Sequence, residues 1–259
     1  MPSIEVAPPR TSNLASIEAN ETFESYLSRY RAGEWRDRIF LDMILADASR
    51  REGQPTILDI GCGHGFDGNV ALQREVADSA GQFIGIEPDA AIQPGNYFHR
   101  IHTNYFEDAP LESNSIDIAY AVMVLEHLKR PQLFWDKLHD VLRPGGIFWG
   151  LTVDKRHWFC ALSKSLDQLR LKELYLNLLL GKRGKTRYEN YPVYYRNNAP
   201  ADIANMTCRF ARQDCWNFSR EGQCAAYFPR PLAPLIAWLD RRAIRANRPG
   251  SLLAIRVQK

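Results

Sequence analysis

The run Thr56-Ile57-Leu58-Asp59-Ile60-Gly61-Cys62-Gly63-His64-Gly65-Phe66-Asp67-Gly68 constrains this chain more than any other stretch. Apolar or β-branched residues surround a single aspartate, and glycines then alternate. Such a run reads as a buried parallel strand that passes into a tight turn free of side chains, with a helix beyond. In an open α/β sheet, a turn of this kind is where a ligand approaches the backbone closely.

The rest of the chain keeps that rhythm. Residues 1–15 read as a loose, Pro-rich tail. Residues 16–50 read as helical, with Trp35, Ile39, Phe40, Met43 and Ile44 expected on the core. Strand 56–60 and a helix over 66–77 follow, then a strand at 82–87 and a short one near 98–103. Strand 116–122, a helix near 131–142, the turn Arg143-Pro144-Gly145-Gly146 and strand 147–153 come next. Strands alternating with helices imply a parallel sheet with right-handed crossovers. Beyond residue 154, a long amphipathic helix is predicted over 157–180, followed by a basic loop at 182–187 and tyrosines at 188, 191, 194 and 195. A helix over 200–208, a strand over 209–218, a helix near 231–245 and a strand at 252–257 complete the reading.

Composition narrows the class. The five cysteines, Cys62, Cys160, Cys208, Cys215 and Cys224, never form a Cys-x-x-Cys pair, which argues against a disulfide framework or a zinc centre. The N-terminus lacks a basic start and an apolar run, and no uncharged apolar stretch reaches the roughly 18 residues of a membrane span, so a cytoplasmic protein is expected. Charge is uneven: residues 1–154 hold 13 Lys+Arg against 23 Asp+Glu, and residues 155–259 hold 20 against 7. A basic second half suits an anionic partner, or simply arginines that solvate helix faces. The Leu-rich 157–187 stretch with Trp158 is also compatible with peripheral membrane contact.

Two common nucleotide loops fail on the residues. A dinucleotide fingerprint needs a glycine where Phe66 stands, and a phosphate-binding P-loop needs Gly-Lys-Ser/Thr where Gly65-Phe66-Asp67 stands. Ile57 to Gly65 instead resembles, position for position, the hydrophobic-x-D-x-G-x-G-x-G loop of class I S-adenosylmethionine-dependent methyltransferases. Glu87 ends the second strand, where that family places an acid. Residues 107–117, Glu126-His127-Leu128 and Leu142-Arg143-Pro144-Gly145-Gly146 resemble later segments of the same family, in the expected order.

The resemblance implies a doubly wound, mostly parallel, seven-stranded Rossmann-like sheet with a helical insertion after strand five. Residues 1–50 would be a tail and helical cap, 51–259 the methyltransferase domain, and 155–200 the acceptor-side insertion. It implies S-adenosyl-L-methionine as cofactor and S-adenosyl-L-homocysteine as product. Gly61, Cys62, Gly63 and Gly65 would lie along the cofactor, Asp59 near its ammonium group, Glu87 and the adjoining Pro88 at its ribose, and Val122 at the end of strand four. Tyr105 stands where the family has an adenine-binding aspartate, so Asn104, Tyr105, Phe106 or Glu107 would cover the adenine. The segment Tyr191–Pro200 resembles part of an acceptor-side insertion.

The expected reaction is methyl transfer to a small molecule, with a hydroxyl as first choice of acceptor, and needs no metal. His127, following strand four, is the first candidate for a base, and His157 the second. His64 would shape the loop, and His99 and His102 read as surface residues. Two rivals stay open: an RNA methyltransferase using the basic half, although no RNA-binding module is visible, and a non-catalytic binding protein that keeps the fold.

Overall fold

The structure, a computed structural model, describes residues 12–66, 68–168 and 191–259. Two helices, α1 (Ser12–Arg31) and α2 (Arg36–Ala48), precede a sheet of β1 (Thr56–Ile60), β2 (Gln82–Ile86), β3 (Arg100–His102), β4 (Ile116–Val122), β5 (Leu142–Val153), β6 (Arg212–Phe218) and β7 (Leu252–Gln258). Helices α3 (Val70–Asp78), α4 (Pro131–Val141), α5 (Trp158–Gln168), α6 (Pro200–Met206) and α7 (Ala233–Arg245) connect the strands. The strand order is β3-β2-β1-β4-β5-β7-β6, and only β7 runs antiparallel to its neighbours. This is the expected seven-stranded Rossmann-like methyltransferase fold. The outer part of the 157–180 helix, the basic loop at 182–187, Tyr188 and Asp67 lie outside the described residues.

Period-two alternation sends side chains to two cores. Ile57, Phe83, Ile118, Tyr120 and Trp149 face one side with Phe40, Ile44 and Phe66. Leu58, Ile86, Ala119, Ala121 and Phe148 face the other with Phe134 and Trp135. The small Ala119 and Ala121 leave room on that second face for the edge-on pair Phe134–Trp135, whose ring centroids are 5.3 Å apart.

Several boundaries differ from the sequence reading, each for a local reason. The helical region splits at Gly33, whose φ of +104° ends α1 in a conformation open to glycine. Trp35 was expected in the core but is 57% exposed: it stands ahead of α2, and its indole N–H donates to Asp37 at 2.7 Å. Helix α3 begins at Val70 rather than 66, because Phe66 and Asn69 exchange backbone bonds and Asn69 Oδ1 accepts from the Ala71 and Leu72 amides. The Pro-Gly-Gly segment is a bulge within β5, since Ile116 pairs with Leu142 but Ile118 pairs with Ile147.

Candidate functional site

The glycine turn sits at the carboxyl end of β1, beside the ends of β2 and β4. Gly61 has φ +79°, and a Cβ there would lie 2.5 Å from Val124 Cγ2. Gly65 has φ +94°, and a Cβ there would lie 2.9 Å from the Asn69 backbone. Both positions therefore exclude side chains on two counts. The Gly61 and Cys62 amides donate to the Ile86 carbonyl at 2.8 and 3.0 Å, which ties the turn to the end of β2. The Cys62 side chain is fully buried against Gly85, and burial pushes its thiol pKa up, so this residue offers a ligand only its backbone.

Below the turn lies a buried polar network that the sequence reading did not anticipate. Parallel pairing sets Asp59 beside Tyr120. Asp59 Oδ2 accepts from Tyr120 Oη at 2.6 Å and from Gln73 Nε2 at 2.6 Å. The same Gln73 nitrogen donates to the Cys62 carbonyl at 2.8 Å, and Tyr97 Oη donates to Gln73 Oε1. Asp59 is 3% exposed. Burial pushes its pKa up to about 7, opposed by the bonds from Tyr120 and Gln73 and reinforced by the charge of Glu87. One signal for this network was available: Gln73 lies on the core-facing side of α3 with Leu72, Val76 and Ala77.

Glu87, immediately beyond β2, is 6% exposed. Its Oε2 accepts the Gly63 amide at 2.9 Å, and its Oε1 accepts the Asp89 amide at 2.9 Å. Each carboxylate oxygen can accept more than one bond, so two donors leave capacity for two more. Pro88 is exposed and Val122 half-buried. Two of the residues expected near the adenine differ in exposure: Phe106 is buried with its ring 5.0 Å from Phe134, whereas Tyr105 is 69% exposed.

A strap, residues 191–198, crosses the carboxyl ends of three strands. Tyr191 Oη donates to Asp89 Oδ2 at 3.0 Å after β2. The Tyr194 amide donates to the Glu126 carbonyl at 2.8 Å after β4. Asn198 Nδ2 donates to Thr152 Oγ1 at 2.7 Å in β5, and Thr152 donates to Glu126 Oε2 at 2.7 Å. Glu126 is buried, which raises its pKa. His127 Nδ1 lies 3.0 Å from the Pro192 carbonyl, and its ring meets Tyr191 edge-on. A carbonyl only accepts, so Nδ1 carries the proton and Nε2 of the neutral ring holds the lone pair.

His157 and His99 have other partners. His157 is 2% exposed, 3.6 Å from Asp240. His99 Nδ1 accepts the Phe83 amide at 3.0 Å. Among the described residues, no group of three or more His, Cys, Asp or Glu could hold a metal ion, and no helix is long and apolar enough to cross a membrane.

A family described as a methyltransferase domain matches residues 27–206. The chain is 30% identical over 138 residues to a tRNA U34 carboxymethyltransferase of Alteromonas mediterranea, a match covering 47% of this chain and 40% of that protein. It is 26% identical over 176 residues to a ubiquinone biosynthesis O-methyltransferase of Photorhabdus laumondii, covering 61% of this chain and 71% of that protein. The chain spans about two fifths of the length of the first curated relatives it matches. A solved structure of a SAM-dependent methyltransferase from Archaeoglobus fulgidus superposes with a TM-score of 0.53 at 13% identity, over 92% of this chain and all of that one, which shows a shared fold.

Proposed function

Because the chain belongs to the S-adenosylmethionine-dependent methyltransferase family, we propose that it transfers a methyl group to a small-molecule acceptor, with a hydroxyl as the receiving group. One observation carries the cofactor site: the buried Glu87 carboxylate stands under Gly63, where a Cβ would lie 2.9 Å from its Oε2. A side chain at 63 would fill this cradle, and the carboxylate within it suits paired hydroxyl donors such as those of a ribose. When bound, S-adenosylmethionine supplies an electrophilic methyl group on a positively charged sulfur.

The chain's own residues then have distinct tasks. Gly61, Gly63 and Gly65 present bare backbone to the cofactor. Glu87 holds the ribose, and the exposed Tyr105 ring covers the adenine. Asp59 supports the turn through Gln73, which holds the Cys62 carbonyl, and adds negative charge beneath a cationic ligand. His127, whose Nδ1 faces the Pro192 carbonyl, is the group to take a hydroxyl proton through Nε2. Helices α1 and α2 act as a cap, and residues 155–200 form the acceptor side. A small molecule suits the structure better than RNA, because the basic second half pairs many of its cations internally. Arg156 meets Asp154, Arg212 meets Asp214, Arg241 meets Glu221 and Arg256 meets Asp47.

Calorimetry with S-adenosylhomocysteine tests the reading. Saturable binding to the wild type is expected, and its absence would sink the proposal. RNA binding that weakens steeply with salt would favour the alternative suggested by the tRNA-modifying relative.

A further inference from the structure

Beside the carboxyl ends of β4 and β5, a cavity of about 70 Å³ opens between the α1–α2 junction and α5. That is several times the roughly 10–15 Å³ one water needs. Its aromatic walls are Tyr30, Trp35, Phe159 and Tyr227, and among the described residues it is lined by two arginines, Arg36 and Arg220, and by no acid. Met123, just beyond β4, forms its floor. Met123 holds φ +55°, which is costly for a side chain of this kind, and its amide is fixed to the Leu151 carbonyl at 2.7 Å. The next residue, Val124, packs on Gly61 of the glycine turn. The cavity and the turn are thus neighbours across two residues.

The two arginines differ. Arg36 lies 3.4 Å from Asp37 and is partly neutralised. Arg220 is half-buried, stacks over Tyr30 at 4.5 Å and Trp35 at 6.0 Å, and donates to the Tyr30 and Glu34 carbonyls, at 3.5 and 3.4 Å. Among the described residues no carboxylate lies within ion-pair distance of it. Arg29 and Arg241, by contrast, each have one. A cation withdrawn from water without a counter-ion is costly unless an anion joins it.

We propose that this cavity receives the methyl acceptor, and that the acceptor is a flat anion whose carboxylate or phosphate sits on Arg220, with Arg36 as the second cation and the aromatic rings against its body. The assignment rests on the methyltransferase reading above. A planar guanidinium suits bidentate recognition of either anion.

The test uses the full chain loaded with S-adenosylhomocysteine and three probes: benzoate, phenyl phosphate and the neutral isostere benzamide. Calorimetry should give saturable binding of at least one anion, with benzamide at least tenfold weaker. Arg220→Ala should weaken the anion at least tenfold and leave S-adenosylhomocysteine affinity within twofold. The proposal is overturned if neither anion binds, if benzamide binds as well as benzoate, or if Arg220→Ala leaves anion affinity unchanged. The comparison of probes on the wild type needs no variant, so a poorly folding Arg220→Ala does not block it. Loss of S-adenosylhomocysteine binding by the wild type would instead indict the methyltransferase reading, which separates the two failures.

Discussion

Replacing Asp59 by Asn tests whether the acid beneath the glycine turn is held against its charge. Its pKa is about 7 in the folded chain, against an ordinary 3.8. A raised value means that the folded state binds the proton more tightly than the unfolded chain. The stabilisation from that proton is therefore full below the ordinary value and is lost as pH rises through about 7. A tenfold difference in proton affinity corresponds to about 1.4 kcal/mol, so the cost of ionisation relative to the unfolded chain grows from about 2 kcal/mol at pH 5 to about 4 kcal/mol at pH 8. Asparagine cannot ionise and escapes this cost. Its rearranged bonds to Tyr120 and Gln73 add an offset that does not depend on pH. Urea unfolding at a series of pH values should show wild-type stability falling by about 2–3 kcal/mol relative to Asp59→Asn between pH 5 and pH 8. A difference that stays flat across that range would refute the reasoning, and with it the claim that burial outweighs the two hydrogen bonds.

Other positions make sharper or narrower demands. Glu87→Ala removes the acceptor of the Gly63 and Asp89 amides. It should weaken S-adenosylhomocysteine binding by roughly 150-fold or more, the scale of two hydrogen bonds to a charged group at about 1.5 kcal/mol each, and an unchanged calorimetric affinity would remove Glu87 from the site. Gly61→Ala must adopt φ +79° with its Cβ 2.5 Å from Val124. A loss of about 2 kcal/mol or more is expected in denaturant unfolding, with partial recovery on adding Val124→Ala; no recovery would place the cost in the backbone alone. His127→Ala deletes the bond to the Pro192 carbonyl. At about 1 kcal/mol net this should speed hydrogen exchange at the Tyr194 amide roughly fivefold, and unaltered exchange would show that the strap is held without it.

The fold was legible in the sequence to an unusual depth because its strands are short, apolar and separated by glycine or proline. The alternation in Ile116–Val122 and the acid placed after Phe83–Ile86 gave both the sheet and the Glu87 position. What escaped notice depends on side chains meeting across the sheet. Nothing local links Tyr120 to Asp59, which lie 61 residues apart and meet only through parallel pairing of β1 and β4. Trp35 misled because helical periodicity was extended across Gly33, where the backbone turns left-handed. The adenine end was left open between neighbours, and burial of Phe106 under Phe134 then separated it from Tyr105. The arginine-lined cavity draws on α1, Met123, β5, α5 and the 220s, and no stretch of sequence places those together.

The strap is latched largely through main-chain atoms. The Glu126, Pro192 and Asn198 carbonyls and the Tyr194 and Lys155 amides make the connections, and Arg196 reaches a backbone oxygen of Lys129. A latch built this way is nearly indifferent to which side chains it carries at 193 and 194, since peptide groups are common to every residue, whereas Tyr195 holds φ +51° and bonds through its side chain. Substitutions there can remodel the surface offered to an acceptor while the segment stays seated over β2, β4 and β5. On the proposed assignment of the acceptor side, this surface can drift independently of the cofactor cradle, which leaves a compact target for directed evolution.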